Sequence, residues 1–254
     1  QGVELSYEKY LRGEKGIKFI QKDRFNRDIG SYNNGLNDKN SKAGNDLIIT
    51  IDSELQEYGE QLMSNKKGAI VAIEPSTGEI LSLVSAPSYN PNLLVGRERS
   101  KNYFELYKDS IYKPLIDKGL LSTFPAGSPF KVIVGLIALQ ENVINDKNTI
   151  FCGGEYIYGR NKKSMKCHCG GGNRNIYNAI SESCNSYFAD AYRKTISINN
   201  NISENFDMWS EGVKSFGLGN YLNNDLPIGK KGMIPNSEFY DRWYPDFRWG
   251  PTTN

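Results

Sequence analysis

The sequence predicts an α+β fold that combines an antiparallel β-hairpin with several helices. Two β-rich runs, residues 68–74 and 79–85, are joined by residues 75–78, a Pro-Ser-Thr-Gly stretch typical of a tight turn. Residues 132–139 are apolar throughout, which predicts a helix buried on every side within a core. Residues 176–191 carry an apolar stripe at helical spacing, which also predicts helix. With 254 residues, 38% of them hydrophobic, the chain can bury one sizeable core and a small second module.

The chain before the hairpin is polar up to about residue 45 and then becomes rich in β-branched and apolar residues. Residues 1–45 predict a short helix at 4–12, edge-strand residues at 17–20 and a linker at 38–45. Residues 46–51 have the composition of a strand. We therefore expect a boundary between an N-terminal segment and the main domain at about residue 45.

Two further helices and an aromatic segment complete the prediction. Asp52 or Ser53 caps a helix that runs to about Met63, and Gln56 can complete a capping box on Ser53. A helix is expected around residues 103–107. The aromatic-rich end of the chain, residues 239–250, is expected to pack in a core, and we assign it no functional role.

The stretch before the apolar helix carries a candidate nucleophile. Pro125 and Gly127 oppose a helix before Ser128, whereas a serine cap followed by proline at the first helical position is a start signal. A helix beginning at Ser128 places Lys131 one turn away, beside the serine hydroxyl. Burial and the helix dipole both favour an uncharged amine, which could activate the serine. Taken alone, S-x-x-K is more often only a helix cap with an outward lysine.

A second polar motif interrupts the later helical stripe. Ser183 and Asn185 are two positions apart, so on a continuous helix they would point to nearly opposite sides. They can serve one site only if the helix breaks between Glu182 and Ser186, and we predict a short loop there. The alternative is a small polar pair that merely packs between helices.

Together, S-x-x-K at residues 128–131 and S-x-N at residues 183–185 resemble the motifs of the penicillin-interacting serine acyltransferases, which also carry K-T-G. Residues 50–56, 68–81 and 88–92 look like class B penicillin-binding proteins, most closely the penicillin-binding protein 2 type used in cell elongation. The resemblance covers nearly all of residues 46–254, while residues 7–13 are similar to the end of the family's pedestal domain.

The resemblance implies a penicillin-binding/serine β-lactamase-like transpeptidase fold, with an antiparallel sheet flanked by helices and an all-helical lobe. Residues 1–45 would be the tail of the pedestal domain and a linker, and residues 46–254 a partial transpeptidase domain. K-T-G is absent, because Gly229-Lys230-Lys231-Gly232 lies in a polar stretch without strand character. We therefore expect the chain to stop before the K-T-G strand, and expect activity from the parent protein rather than from this piece. Pro129 replaces the family's usual threonine but suits a first helical position.

The activity that the resemblance implies is that of a D,D-transpeptidase. Ser128 would attack the D-Ala-D-Ala carbonyl of a peptidoglycan stem peptide, with Lys131 as its base and its own backbone N–H as half of the oxyanion hole. Ser183 would relay a proton to the leaving group, and Asn185 would hold the substrate amide and bond Lys131. β-Lactams would acylate the same serine.

The resemblance also implies binding partners and a cellular location. Expected partners are the stem peptide, β-lactams and a cell-elongation glycosyltransferase, and the full-length protein is expected to be periplasmic and anchored in the inner membrane. No apolar run here approaches the roughly 20 residues of a membrane span. A net charge of +2 gives no electrostatic reason to expect nucleic-acid binding.

Three alternatives remain at this point. A β-lactamase or β-lactam sensor would share S-x-x-K, although the sequence offers no candidate for a dedicated deacylating base. A non-catalytic cell-wall binding module would follow if the parent also lacks K-T-G. The plainest alternative is a helical domain with a coincidental motif, against which the hairpin and the ordered motifs argue.

Four cysteines and the chain's single histidine form a separate constellation. Cys152, Cys167, His168 and Cys169 are weak zinc candidates, and some elongation-type relatives carry a metal near the active site. Cys167 and Cys169 lack the usual two-residue gap between paired thiolates, and with Cys184 the four cysteines allow three disulfide pairings. We therefore favour a disulfide or free thiols over zinc and commit to no cofactor. A histidine inside this cluster also argues against a Ser-His-Asp mechanism.

Overall fold

The protein is described here by a computed structural model, in residues 2–159, 161–222, 224–245 and 249–250. It contains two compact units, residues 1–122 with 224–230 and residues 123–223 with 231–254. In the described ranges, no helix is both long and apolar enough to cross a membrane.

The first unit contains two antiparallel strand pairs, β1 with β2 and β3 with β4. Its helices are α1 (Val3–Ser6), α2 (Glu8–Leu11), α3 (Ser53–Leu62), α4 (Arg99–Lys108) and α5 (Lys118–Leu121). Its strands are β1 (Ile20–Lys22), β2 (Asp28–Ser31), β3 (Gly68–Ile73) and β4 (Ile80–Ala86). Short 3-10 turns span Tyr32–Gly35 and Pro91–Leu94.

The second unit is mainly helical and carries two short antiparallel pairs, β5 with β8 and β6 with β7. Its helices are α6 (Phe130–Gln140), α7 (Ile176–Ser181), α8 (Asn185–Thr195), α9 (Ile202–Ser215) and α10 (Ser237–Trp243). Its strands are β5 (Ile150–Cys152), β6 (Glu155–Tyr158), β7 (Lys163–Lys166) and β8 (Gly172–Arg174). The mixed helix and strand content confirms the α+β prediction.

The predicted hairpin and the helices around it are present, but the predicted strand at residues 46–51 is wrong. That segment has no strand ladder. The chain is instead fixed beside β4 by isolated bonds, from Thr50 Oγ1 to the carbonyl of Ile80 at 2.7 Å and from Asp52 N to the carbonyl of Leu81 at 2.9 Å. A β-rich composition thus gave an extended segment without the pairing that makes a strand.

The capping box predicted for α3 is also wrong. Asp52 is the N-cap, and its carboxylate accepts the backbone N–H groups of Glu54 and Leu55. Gln56 bonds β4 instead, because its Oε1 accepts Leu83 N at 2.8 Å and its Nε2 donates to the carbonyl of Leu83 at 3.1 Å. The glutamine side chain therefore joins the helix to the hairpin.

The N-terminal prediction holds in part. The helix expected at residues 4–12 is divided at Tyr7 into α1 and α2. Residues 38–45, predicted as a linker, are held by backbone bonds, from Lys39 N to Ile17 O at 2.8 Å and from Lys42 N to Glu14 O at 2.9 Å.

Gly59 lets α3 approach the hairpin closely, and this contact gives a stability prediction. A Cβ on Gly59 would lie 2.9 Å from Val84 Cγ2. Alanine is the better helix former by about 1 kcal/mol, but overpacking of this size costs about 1–3 kcal/mol. We expect Gly59→Ala to lower the Tm by about 2–4 °C. In a Val84→Ala background the same change should raise the Tm, and a fall there would contradict the steric explanation.

The core of the second unit lies on one face of α6. Val134, Ile137 and Ala138 are buried, but Val132 and Leu136 are 45% and 46% exposed. The prediction that this helix is buried on every side is therefore wrong for the described residues, because positions four apart share the face opposite the core. Buried residues of α8 and α9 complete this core, namely Tyr187, Phe188, Ala191, Phe206, Trp209 and Val213.

The aromatic end of the chain packs in part on this core, as expected. The rings of Tyr240 and Trp249 lie 5.4 and 5.5 Å from that of Phe206. Residues 246–248 of the run lie outside the described residues.

Candidate active site

Ser128 lies in a turn that leads directly into α6. Regular helix begins at Phe130, two residues later than predicted, with Pro129 as the N-cap. Tight turn bonds precede it, from Phe130 N to Gly127 O at 3.1 Å and from Lys131 N to Ser128 O at 3.0 Å. The one-turn spacing is kept, so Lys131 Nζ lies 3.4 Å from Ser128 Oγ.

Ser183 completes a short chain of polar groups. Lys131 Nζ donates to Ser183 Oγ at 2.8 Å and to the carbonyl of Ser183 at 2.7 Å. Ser183 Oγ in turn donates to Ser128 Oγ at 2.9 Å. An amine, a second hydroxyl and a candidate nucleophile are thus within hydrogen-bond distance of one another, which is the arrangement that proton transfer requires.

The backbone at Ser183 is left-handed, with φ at 53°. Helix α7 ends at Ser181, with Glu182 as its C-cap. Ser183 N then donates to Ile180 O at 3.1 Å and Cys184 N to Ala179 O at 2.8 Å. This is a Schellman ending, whose left-handed position glycine usually occupies. The helix break predicted from the S-x-N spacing is therefore present, and it places a non-glycine residue in a conformation that costs about 1–2 kcal/mol.

Asn185 begins α8 and points its amide toward the end of β7. Its Nδ2 donates to the carbonyl of Lys166 at 2.8 Å, and its backbone N–H donates to Cys167 Sγ at 3.1 Å. Within the described part of the chain, Asn185 makes no hydrogen bond to Lys131. The expected bond between them is therefore not observed.

Four buried thiols lie directly behind this motif. Their sulfur atoms are all within 4.8 Å of one another, and they belong to Cys152, Cys167, Cys169 and Cys184. Each is free, so of the two states that we favoured over zinc, a disulfide or free thiols, the structure contains free thiols. The candidate ligand set also needs correction, because His168 is exposed and Cys184 is the fourth member of the group.

The spacing of these thiols fits a zinc site. Tetrahedral zinc with bonds of about 2.3 Å places its sulfur ligands about 3.8 Å apart. The closest pairs are Cys167 with Cys169 at 3.3 Å, Cys169 with Cys152 at 3.4 Å, and Cys167 with Cys184 at 3.7 Å. Burial raises the pKa of Cys169 and Cys184. At Cys167, hydrogen bonds from the backbone of Ser186 and Cys169 and from neighbouring thiols outweigh burial and lower the pKa to about 5.

Family models match most of the chain. The penicillin binding protein transpeptidase domain matches residues 68–250, and the penicillin-binding protein dimerisation domain matches residues 1–49. Curated relatives include the peptidoglycan D,D-transpeptidase MrdA of Acinetobacter baumannii, 33% identical over 94% of this chain and 34% of that protein. MrdA of Escherichia coli K12 is 31% identical over 96% of this chain and 37% of its own length.

Solved structures show the same relationship. Pseudomonas aeruginosa PBP2 in complex with WCK 5153 is 32% identical, with a TM-score of 0.71 over 84% of this chain and 45% of that one. Helicobacter pylori PBP2 in complex with MreC is 28% identical, with a TM-score of 0.80 over 99% of this chain and 45% of that one. The chain thus spans about a third of the length of these curated relatives. Since the transpeptidase-domain match alone covers more than half of its residues, the chain belongs to the penicillin-binding protein transpeptidase family.

Proposed function

We propose that the complete gene product is a peptidoglycan D,D-transpeptidase that works through an acyl-enzyme on Ser128. The observation that carries the proposal is the chain of hydrogen bonds joining Lys131 Nζ, Ser183 Oγ and Ser128 Oγ. The MrdA relatives carry the same activity in their names. A chance S-x-x-K would not require a second serine, 55 residues away in sequence, to bridge the pair.

In the first half-reaction, Ser128 Oγ attacks the carbonyl carbon between the two terminal D-alanines of a stem peptide. The amine of Lys131 acts as the base and takes the hydroxyl proton, directly or through Ser183. The C–N bond then breaks, and free D-alanine leaves with a proton delivered through Ser183. The peptide remains on Ser128 as an ester.

In the second half-reaction, the amine of a neighbouring strand attacks this ester. The attacking amine gives a proton to Lys131, directly or through Ser183, and the ester C–O bond breaks as the new amide bond forms. This amide cross-links the two stem peptides, and Ser128 takes up the proton that Lys131 holds. No acceptor in the described ranges takes the backbone N–H of Ser128, so this donor is free for the oxyanion. Because Nδ2 of Asn185 is already bonded, its Oδ1 is the group that we assign to the substrate amide.

Benzylpenicillin tests this function. We expect intact-protein mass spectrometry to show one covalent adduct, and peptide mapping to place it on Ser128. The Ser128→Ala variant should form none. An adduct on another residue, or no adduct on the wild type, would reject the proposal, and rapid release of the acylated drug would favour a β-lactamase or sensor.

We also propose a place in cell elongation, at the periplasmic face of the inner membrane, with a glycosyltransferase as partner. The Helicobacter pylori PBP2 structure in complex with MreC supports a partner from the elongation machinery. Residues 1–49, which match the dimerisation domain, are the part that we assign to such contacts. Co-purification of MreC with the complete gene product, and its loss when residues 1–49 are exchanged for an unrelated segment, would test this assignment.

We further propose that the four thiolates hold a structural zinc ion. Four protein ligands leave no open coordination position, so the metal would stabilise the fold and take no part in the reaction. Metal analysis should find one zinc per chain, lost in Cys167→Ser and kept in His168→Ala. Zinc-free wild-type protein, or loss of zinc on changing His168, would contradict this.

A further inference from the structure

The geometry of Ser183 depends on where α7 ends. Both its hydroxyl and its carbonyl contact Lys131, so a rotation of the 182–184 backbone would move two of the three contacts that hold the amine. The left-handed conformation of Ser183 is not one that serine adopts by preference, and the surrounding structure must therefore impose it. The Schellman bonds fix this ending relative to α7 itself, but they do not fix α7 relative to the rest of the unit.

Arg174 is placed to supply that second constraint. It is the last residue of β8, where it pairs with Ile150 of β5, and it directly precedes Asn175, the N-cap of α7. Its Nη2 lies 2.8 Å from the carboxylate of Glu182, the residue before Ser183. One side chain thus spans the whole of the six-residue helix, about 9 Å, and joins its two ends.

The same guanidinium also holds the cysteine loop. Nη2 donates to the carbonyl of Cys169 at 2.7 Å, and Nη1 donates to the carbonyl of Asn173 at 3.1 Å. The Arg174 side chain is only 15% exposed, and its guanidinium lies against Gly172, where a Cβ would come within 3.3 Å of Nη1. This fixed planar fork reaches three oxygen atoms, which the single ammonium of lysine cannot reproduce.

We propose that Arg174 is a positioning residue that fixes Ser183 through Glu182, and so sets the rate of acylation at Ser128. It touches neither Lys131 nor Ser128, and its effect passes through the carboxylate that precedes the relay serine. The inference rests on the proposed function and extends it to a residue outside the S-x-x-K and S-x-N motifs. Because small displacements of a reacting group have large kinetic effects, we expect Arg174→Gln to acylate about tenfold more slowly.

The experiment measures acylation of the complete gene product by a fluorescent penicillin, with the acylation rate constant separated from the affinity of the initial complex. Arg174→Gln and Glu182→Gln should each lower the rate constant about tenfold and leave the initial affinity unchanged. Because they act through one contact, the double variant should be no slower than either single one. Arg174→Lys should fall between Arg174→Gln and the wild type.

Arg193→Gln is the matched control. Arg193 pairs with Asp190 at 2.8 Å and bonds Tyr156 in the same unit, without contacting the Ser183 loop. We expect it to change the Tm but not the acylation rate constant. This inference would be overturned if Arg174→Gln and Glu182→Gln both acylated at the wild-type rate, or if their losses were additive in the double variant. The proposed function would still stand in that case, provided that the wild-type protein is acylated. A wild type that forms no adduct would overturn both.

Discussion

Replacing Lys131 with methionine is expected to lower the acylation rate constant of Ser128 by about 10³-fold. Among the described residues, its amine is the basic group within hydrogen-bond distance of Ser128 Oγ, at 3.4 Å, and it also contacts the relay hydroxyl of Ser183. Methionine keeps the length of the side chain and removes the base. The measurement is the rate of adduct formation by the complete gene product with benzylpenicillin.

Two further variants test whether residue 131 is needed as a base or only as a positive charge. Arginine at position 131 supplies a permanent cation that can bond Ser183 but cannot take a proton, so Lys131→Arg should be almost as slow as Lys131→Met. Lys147→Met, which removes an exposed amine from the same unit, should acylate at the wild-type rate. Wild-type acylation by Lys131→Arg would show that the amine acts only through its charge.

The pair at Ser128 and Lys131 could be predicted because it depends on local geometry alone. Any helical turn that begins near Pro129 brings positions three apart onto one face, so a start at Phe130 rather than Ser128 leaves the pair together. The break before Asn185 was also predictable, since a continuous helix would have separated it from Ser183. The left-handed backbone of Ser183 was not, because the chain places serine where glycine is the usual signal.

The four-cysteine cluster could not be predicted from the spacing of its residues in the sequence. Zinc motifs recognised by spacing usually place two residues or more between the paired ligands of a loop. Here the loop after β7 supplies two cysteines only one residue apart, and β5 and the N-cap of α8 supply one each. Cys167 and Cys169 are near in sequence, but Cys152 and Cys184 join them only through packing. One sequence feature could have indicated the fourth ligand. Cys184 is the middle residue of S-x-N, so it had to lie close to the residues that position Ser183. His168, adjacent in sequence, is exposed because alternate residues of an extended segment point to opposite sides.

The tertiary surroundings also decided two of the local predictions that failed. Residues 46–51 have strand composition but only isolated bonds to β4, and Gln56 bonds that strand rather than the start of its own helix. In both cases a partner distant in sequence changed what the local pattern favoured. Residue type alone does not show which partner will be near.

Ser183→Gly is expected to separate stability from catalysis. Glycine adopts the left-handed conformation at φ 53° without the cost borne by serine, but it lacks the hydroxyl that lies between Lys131 and Ser128. We expect acylation to slow by about 10²-fold or more, because the proton must then move over the direct distance of 3.4 Å between amine and nucleophile. The acylation rate constant and the Tm are measured on the same preparation.

Ser183→Ala is the matched comparison, since it removes the same hydroxyl and keeps a Cβ. The alanine variant should be less stable than the glycine variant by about 1 kcal/mol, because it still bears the cost of the left-handed backbone. If the hydroxyl is the functional group, the two variants acylate equally slowly despite their different Tm values. If Ser183 only shapes the loop, the more stable glycine variant retains the activity that the alanine variant loses, and the relay role must be abandoned. The conformation that makes serine unfavourable at this position is thus the property that allows its chemistry to be tested apart from its packing.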